Sequence, residues 1–98
     1  METIKFELDQ GSHGGFNLYS EGKKQGEMFI SINNDLLTVF HTGIEPRGRG
    51  KGFAKKLLDE MVAYATEMNL KVLPLCPYVQ AQFKRCPEQY GSYMVKIT

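Results

Sequence analysis

The segment Glu45-Pro-Arg-Gly-Arg-Gly-Lys-Gly52 separates two kinds of chain, and it limits the fold more than any other feature of the sequence. After it, Phe53, Ala54, Leu57, Leu58, Met61, Val62, Ala65 and Met68 recur at steps of three and four. That is one apolar stripe on a long helix, and it needs a sheet or another helix to cover it. Asn69 marks the end of this helix. Before the segment the chain alternates instead. Ile4, Phe6 and Leu8 alternate with Lys5, Glu7 and Asp9, the period of a half-buried strand. Gln10 to Gly15 reads as a turn cluster, and Phe16, Leu18 and Ser20 alternate with Asn17 and Tyr19 in a second strand. Glu21 to Gly26 reads as a polar break. Met28 to Ile32 is a third strand with Phe29 on the face opposite Met28, Ile30 and Ile32. The tight-turn residues Asn33-Asn34-Asp35 lead into a fourth strand, Leu36 to Ile44.

Beyond the long helix, Lys71 to Leu75 reads as a fifth strand, parallel to the fourth because a helix joins them. Tyr78 to Arg85 reads as a short helix that Pro87 ends, and Tyr93, Val95 and Ile97 alternate as a last strand. A chain of 98 residues has room for one core. With 42% hydrophobic and 23% charged residues, it is neither disordered, collagen-like nor a disulfide scaffold. It has no apolar run of about 18 residues, so no membrane span is expected. The start METIKFELDQ does not read as a signal peptide, and a cytoplasmic protein is expected. Twelve basic and eleven acidic residues leave a net charge of +1, which excludes a dedicated nucleic-acid binder. Cys76 and Cys86 form no CxxC, and His13 and His41 are far apart, so neither a structural disulfide nor a metal site is expected.

The long helix carries its charges backwards. Arg47, Arg49, Lys51, Lys55 and Lys56 crowd its N-terminal end, and Asp59, Glu60 and Glu67 follow. The macrodipole favours acids at that end, and each misplaced exposed charge costs about 0.3–1 kcal/mol. A bound anion reverses the sign. Gly48, Gly50 and Gly52 would let the backbone approach such an anion with free N–H groups, so the segment reads as a phosphate or pyrophosphate cradle. It is not a Walker A loop, because Phe53 follows Gly52 where a hydroxyl is needed. Nor is it a dinucleotide fingerprint, which follows a domain's first strand. A solvated basic loop, or a GR-type RNA-binding tail, are the other readings of the composition. A tail would be flanked by disorder rather than by a strand and an amphipathic helix.

The spacing Arg47-x-x-Gly50-x-Gly52 resembles the acyl-CoA pyrophosphate loop of the GNAT acetyltransferase superfamily. His41-Thr42-Gly43-Ile44, Arg49-Gly50-Lys51-Gly52 and Pro74-Leu75-Cys76-Pro77-Tyr78-Val79 together are similar to its small, single-domain GNAT-like group. The sequence departs from that group at Gly48, where a large apolar residue is more usual, and at Cys86, where the group has His. The resemblance implies one α+β domain over residues 1–98 with the GNAT fold. That fold has a mixed, mostly antiparallel sheet, one long helix after the fourth strand and a short C-terminal helix. It implies acetyl-CoA as cofactor and N-acetyl transfer to an amine whose identity the sequence does not give. A protein amine suits a chain without the helices that wall the acceptor site in longer relatives. The rival reading is a non-catalytic CoA-binding or regulatory module.

The cofactor-binding residues implied are Thr42, Ile44, Arg47, Gly48, Arg49, Gly50, Lys51, Gly52, Cys76 and Lys84. Pro74 would stop strand pairing where the fourth and fifth strands splay around the pantetheine arm. Cys76 is either a buried small hydrophobe or a thiol near the acetyl group, able to take that group if its pKa is lowered. His41, on the side of Val39 and Leu37 by alternation, is either a strand histidine or a general base. Lys84 and Arg85 are a solvated helix face or reach the adenosine-side phosphate. The superfamily's acid is a tyrosine after the fifth strand. Here Phe83 and Lys84 stand in that neighbourhood, so no acid is assigned to Tyr78 or Tyr90.

Overall fold

The computed structural model describes residues 2–9 and 11–86. Strands β1 (Glu2–Leu8), β2 (His13–Ser20), β3 (Lys23–Asn33) and β4 (Leu36–Ile44) form an antiparallel meander. A single 3-10 turn, Pro46–Gly48, then leads into helix α1 (Phe53–Glu67). Strand β5 (Lys71–Pro74) returns parallel to β4, and helix α2 (Pro77–Arg85) follows. The expected strand around Tyr93, Val95 and Ile97 lies outside the described residues. No helix among the described residues is long and apolar enough to cross a membrane.

The apolar stripe of α1 buries Phe53, Leu57, Leu58, Met61 and Ala65. It packs on β2, β3 and β4, whose inward residues include Phe16, Leu18, Met28, Ile30, Leu37 and Val39. Cutting a buried leucine such as Leu57 to alanine costs about 2–5 kcal/mol. The helix ends in a Schellman motif. Asn69 takes the left-handed conformation at φ +56, its N–H bonds the Thr66 carbonyl at 3.2 Å, and the Leu70 N–H bonds the Ala65 carbonyl at 2.7 Å.

Two of the expected loops are shorter than their composition indicates. Strand β2 begins at His13, so Gly14 and Gly15 belong to the sheet and not to a turn. A Cβ on Gly14 would lie 1.9 Å from the Glu7 carbonyl oxygen, and one on Gly15 would lie 2.1 Å from that of Met28. Glycine is there because β1 and β3 press on the β2 backbone from either side. The turn itself is tied by Asp9, whose carboxylate accepts the N–H groups of Gly11 at 2.8 Å and His13 at 3.0 Å. The second loop is only Glu21-Gly22, with φ +52 and +80, the signs of a type I′ hairpin turn. Strand β3 therefore starts at Lys23, and its polar first residues extend a hairpin arm instead of breaking it.

Two bulges interrupt the ladders. Gln25 is an extra residue of β3 opposite the Leu18–Tyr19 step. Phe40 is an extra residue of β4, because Phe29 pairs with His41 while Ile30 pairs with Val39. An inserted residue shifts by one the odd-even alternation of everything beyond it. His41 consequently does not share a side with Val39 and Leu37, which corrects the reading by alternation. Val39 is buried, whereas Phe40 and His41 are exposed on the face that also carries Phe29.

Candidate functional site: the loop before α1 and the β4–β5 divergence

The loop is anchored before it turns. The Glu45 N–H bonds the carbonyl of the bulged Gln25 at 2.8 Å, and the Gly48 N–H bonds the Glu45 carbonyl at 2.8 Å. Gly48 is buried, and a Cβ there would stand 2.8 Å from the Phe53 ring and 3.2 Å from a methyl of Ile44. Of the three glycines expected to offer free N–H groups, Gly48 does not. Its donor is used inside the loop and its missing side chain makes room for Phe53. Ile44 likewise packs partly buried against the core.

Gly50 and Gly52 differ. Their φ angles are +81 and +77, in the left-handed region, and nothing stands within 4 Å of either Cβ position. Among the described residues, no protein acceptor takes the N–H groups of Gly50, Gly52, Phe53 or Ala54. Gly52 caps α1 without a side-chain hydrogen bond, and the first turn holds no acid. Of the five basic residues, Lys55 pairs with Asp59 and Lys56 with Glu2. Arg47, Arg49 and Lys51 are exposed and have no carboxylate partner among the described residues. Free donors, a positive helix end and three cations without a carboxylate partner among the described residues thus belong to one loop, which suits an anion.

The second part of the site is where the sheet opens. Pairing of β4 with β5 stops at Val39 and Pro74, because proline has no N–H to continue it. The Val39 carbonyl then accepts two N–H groups, from Leu75 and Cys76, each at 3.0 Å. Strand β4 runs on to Ile44, so its Phe40–Ile44 edge on the β5 side has no strand partner among the described residues. Cys76 caps α2, accepts the Gln80 N–H at 3.0 Å, and donates its thiol to the Thr42 hydroxyl at 3.4 Å. The Gln80 side chain returns to the Pro74 carbonyl at 2.8 Å and closes this corner.

Thr42 and Cys76 are therefore brought together, and His41 is not with them. Its ring stacks on Phe29 at 6.0 Å on the other face. Lys84 is exposed in the last turn of α2, and no hydrogen bond or ion pair joins it to the loop. The Val39 carbonyl and the Phe40 bulge organise the divergence, and neither was legible as a site residue. A carbonyl has no sequence signature, and the bulge shows only in the pairing register.

A family model described as GCN5-related N-acetyl-transferase matches residues 15–93, most of the chain. The chain belongs to this family. Solved structures of GCN5-related proteins share its fold. The ribosomal-protein-S18-alanine N-acetyltransferase from Escherichia coli aligns with TM-score 0.68 and 14% identity, over 74% of this chain and 64% of that one. A ribosomal-protein-alanine N-acetyltransferase from Brucella melitensis aligns with TM-score 0.62 and 22% identity, over 80% of this chain and 62% of that one. The chain thus spans a little under two thirds of the length of both enzymes. A GCN5-like protein from Staphylococcus aureus is nearer in size, with TM-score 0.65 and 23% identity over 96% of this chain and 90% of that one. A comparison with curated proteins finds no match.

Proposed function

We propose that this GCN5-related chain binds acetyl-CoA and transfers the acetyl group to an amine. The observation that carries the reading is the set of unclaimed N–H groups at Gly50, Gly52, Phe53 and Ala54, beside Arg47, Arg49 and Lys51. Those donors would hold the pyrophosphate. The free edge of β4 from Phe40 to Ile44 would align the pantetheine amides as a missing strand would, which brings the thioester toward Thr42 and Cys76. The amine nitrogen attacks the acetyl carbonyl, the carbon–sulfur bond breaks, and CoA leaves as the thiolate. The amine proton passes to solvent or to that sulfur. Cys76 lines the thioester site in this account and takes no part in the transfer.

The position of His41 favours a second reading, a CoA-binding module without turnover. The residue expected to serve as base faces away from the Thr42–Cys76 corner. One experiment separates the two. Calorimetric titration with acetyl-CoA, followed by an acetyl-transfer assay on amines and peptides, gives binding and turnover if the chain is an enzyme. Binding without turnover supports the module, and no binding overturns both.

A further inference from the structure

We propose that β1 pairs with β1 of a second copy of this chain, antiparallel and with the two-fold axis at Phe6, to join the two sheets into one. Among the described residues the strand is an edge of the sheet, with β2 as its one neighbour. Its seven residues carry no proline, and its ladder with β2 runs from Glu2 to Leu8 without a bulge. An edge of that kind is normally blunted, because its unpaired backbone groups accept any extended chain.

The side chains select the partner. Phe6 and Leu8 are 37% and 43% exposed, on the face where Phe6 touches Phe16 and the Tyr64 ring of α1. Lys5 and Glu7 are exposed on the opposite face. Each is held there, Lys5 over the Tyr19 ring at 5.1 Å and Glu7 by the Asn17 amide at 2.9 Å. Pairing about Phe6 sets Lys5 opposite Glu7 twice, Ile4 opposite Leu8 twice, and Phe6 opposite itself. Moving the axis to Lys5 or to Glu7 sets like charges face to face, which is destabilising. Moving it to Ile4 sets Glu2 against Phe6 and leaves Leu8 without an opposite residue. The lysine that would repel a foreign apolar strand therefore meets a carboxylate in a second copy. Both α1 helices lie on one face of the joined sheet, so the Phe6–Tyr64 surfaces of the two copies become neighbours across the axis. One strand pair is a small contact beside the roughly 1,200–2,000 Å² of a stable, specific interface, so the association is proposed as a concentration-dependent one.

Sedimentation velocity over a concentration series tests this. The wild-type chain is expected to pass from monomer to dimer as concentration rises. Lys5→Glu and Glu7→Lys, each checked for native circular dichroism, are each expected to weaken self-association by about tenfold or more. An equimolar mixture of the two variants is expected to dimerise again, because each supplies the charges the other lacks. That rescue also excludes misfolding as the cause of the single-variant losses. A wild-type chain that stays monomeric at every concentration overturns the proposal. So does a dimer that neither variant weakens, or a mixture that fails to recover.

Discussion

The thiol of Cys76 donates to the hydroxyl of Thr42 across 3.4 Å, joining the cap of α2 to β4 just beyond the last β4–β5 pair, Val39 and Pro74. Cys76 is 2% exposed, so the thiol faces the interior of the divergence rather than solvent. For direct transfer it needs only to fill space. Cys76→Ala is expected to keep most acetyl-transfer activity. Rapid-quench intact-protein mass spectrometry is expected to show no added acetyl group on the wild type. A stoichiometric acetyl on Cys76 that moves on to an amine would establish a covalent route instead.

Gly50 and Gly52 allow a test that separates strain from charge. Any side chain there adopts a left-handed backbone, at about 1–2 kcal/mol for most residues and less for asparagine. Since nothing occupies the Cβ positions, Gly50→Glu and Gly52→Glu are expected to fold. Calorimetry is expected to show that they lose acetyl-CoA binding, while Gly50→Asn retains more of it. Equal affinity in all three would remove the loop from the site.

Gly48 invites the opposite experiment. The resemblance implies a large apolar residue there, yet here the Phe53 ring is 2.8 Å from the Cβ position. Gly48→Leu is expected to destabilise the fold by about 1–3 kcal/mol through overpacking. Phe53→Ala in the same chain should recover part of the loss, because it vacates the contested space. Thermal melts of the two single variants and the double variant give the coupling.

Gly14 and Gly15 have no such escape. Their missing Cβ atoms face carbonyl oxygens of neighbouring strands and not side chains. Gly14→Ala and Gly15→Ala are each expected to cost about 2–4 kcal/mol, within the upper range for single substitutions. Denaturant titration measures it, and near-wild-type stability would show that β2 does not pass so close to β1 and β3.

The Lys56–Glu2 ion pair ties the start of β1 to the start of α1. The hydrogen bond from Lys56 holds the Glu2 carboxyl below its ordinary range, against a smaller desolvation effect. A folded pKa below the unfolded one gives stability that is full above the unfolded value. That stability is lost as pH falls through the folded value. Lys56→Ala is therefore expected to return the Glu2 titration, followed by NMR, toward ordinary values. The stability difference from wild type should vanish in acid.

Helix α1 was legible because its period repeats over many residues, and β5 because a helix must separate parallel strands. The open backbone at Gly50 and Gly52 was legible from the glycine spacing beside charges that oppose the helix dipole. What was not legible depends on long-range packing. Gly14 and Gly15 have turn propensity, but their place is decided by two neighbouring strands. The burial of Gly48 depends on a ring five residues later. The side on which His41 lies depends on one unpaired residue, Phe40, which leaves no trace in hydropathy.

That single residue makes β4 a device with two phases. Up to Val39, odd-numbered positions belong to the core. Past Phe40, even-numbered positions turn inward, and Thr42 reaches Cys76 for that reason. Deleting Phe40 would let Val39 and His41 follow one another in a single unbroken register, with the imidazole still on the open face and the hydroxyl still at the thiol. The groups offered at the divergence are thus held by their partners on β3, and the strand can lose this one codon without changing which of them it presents.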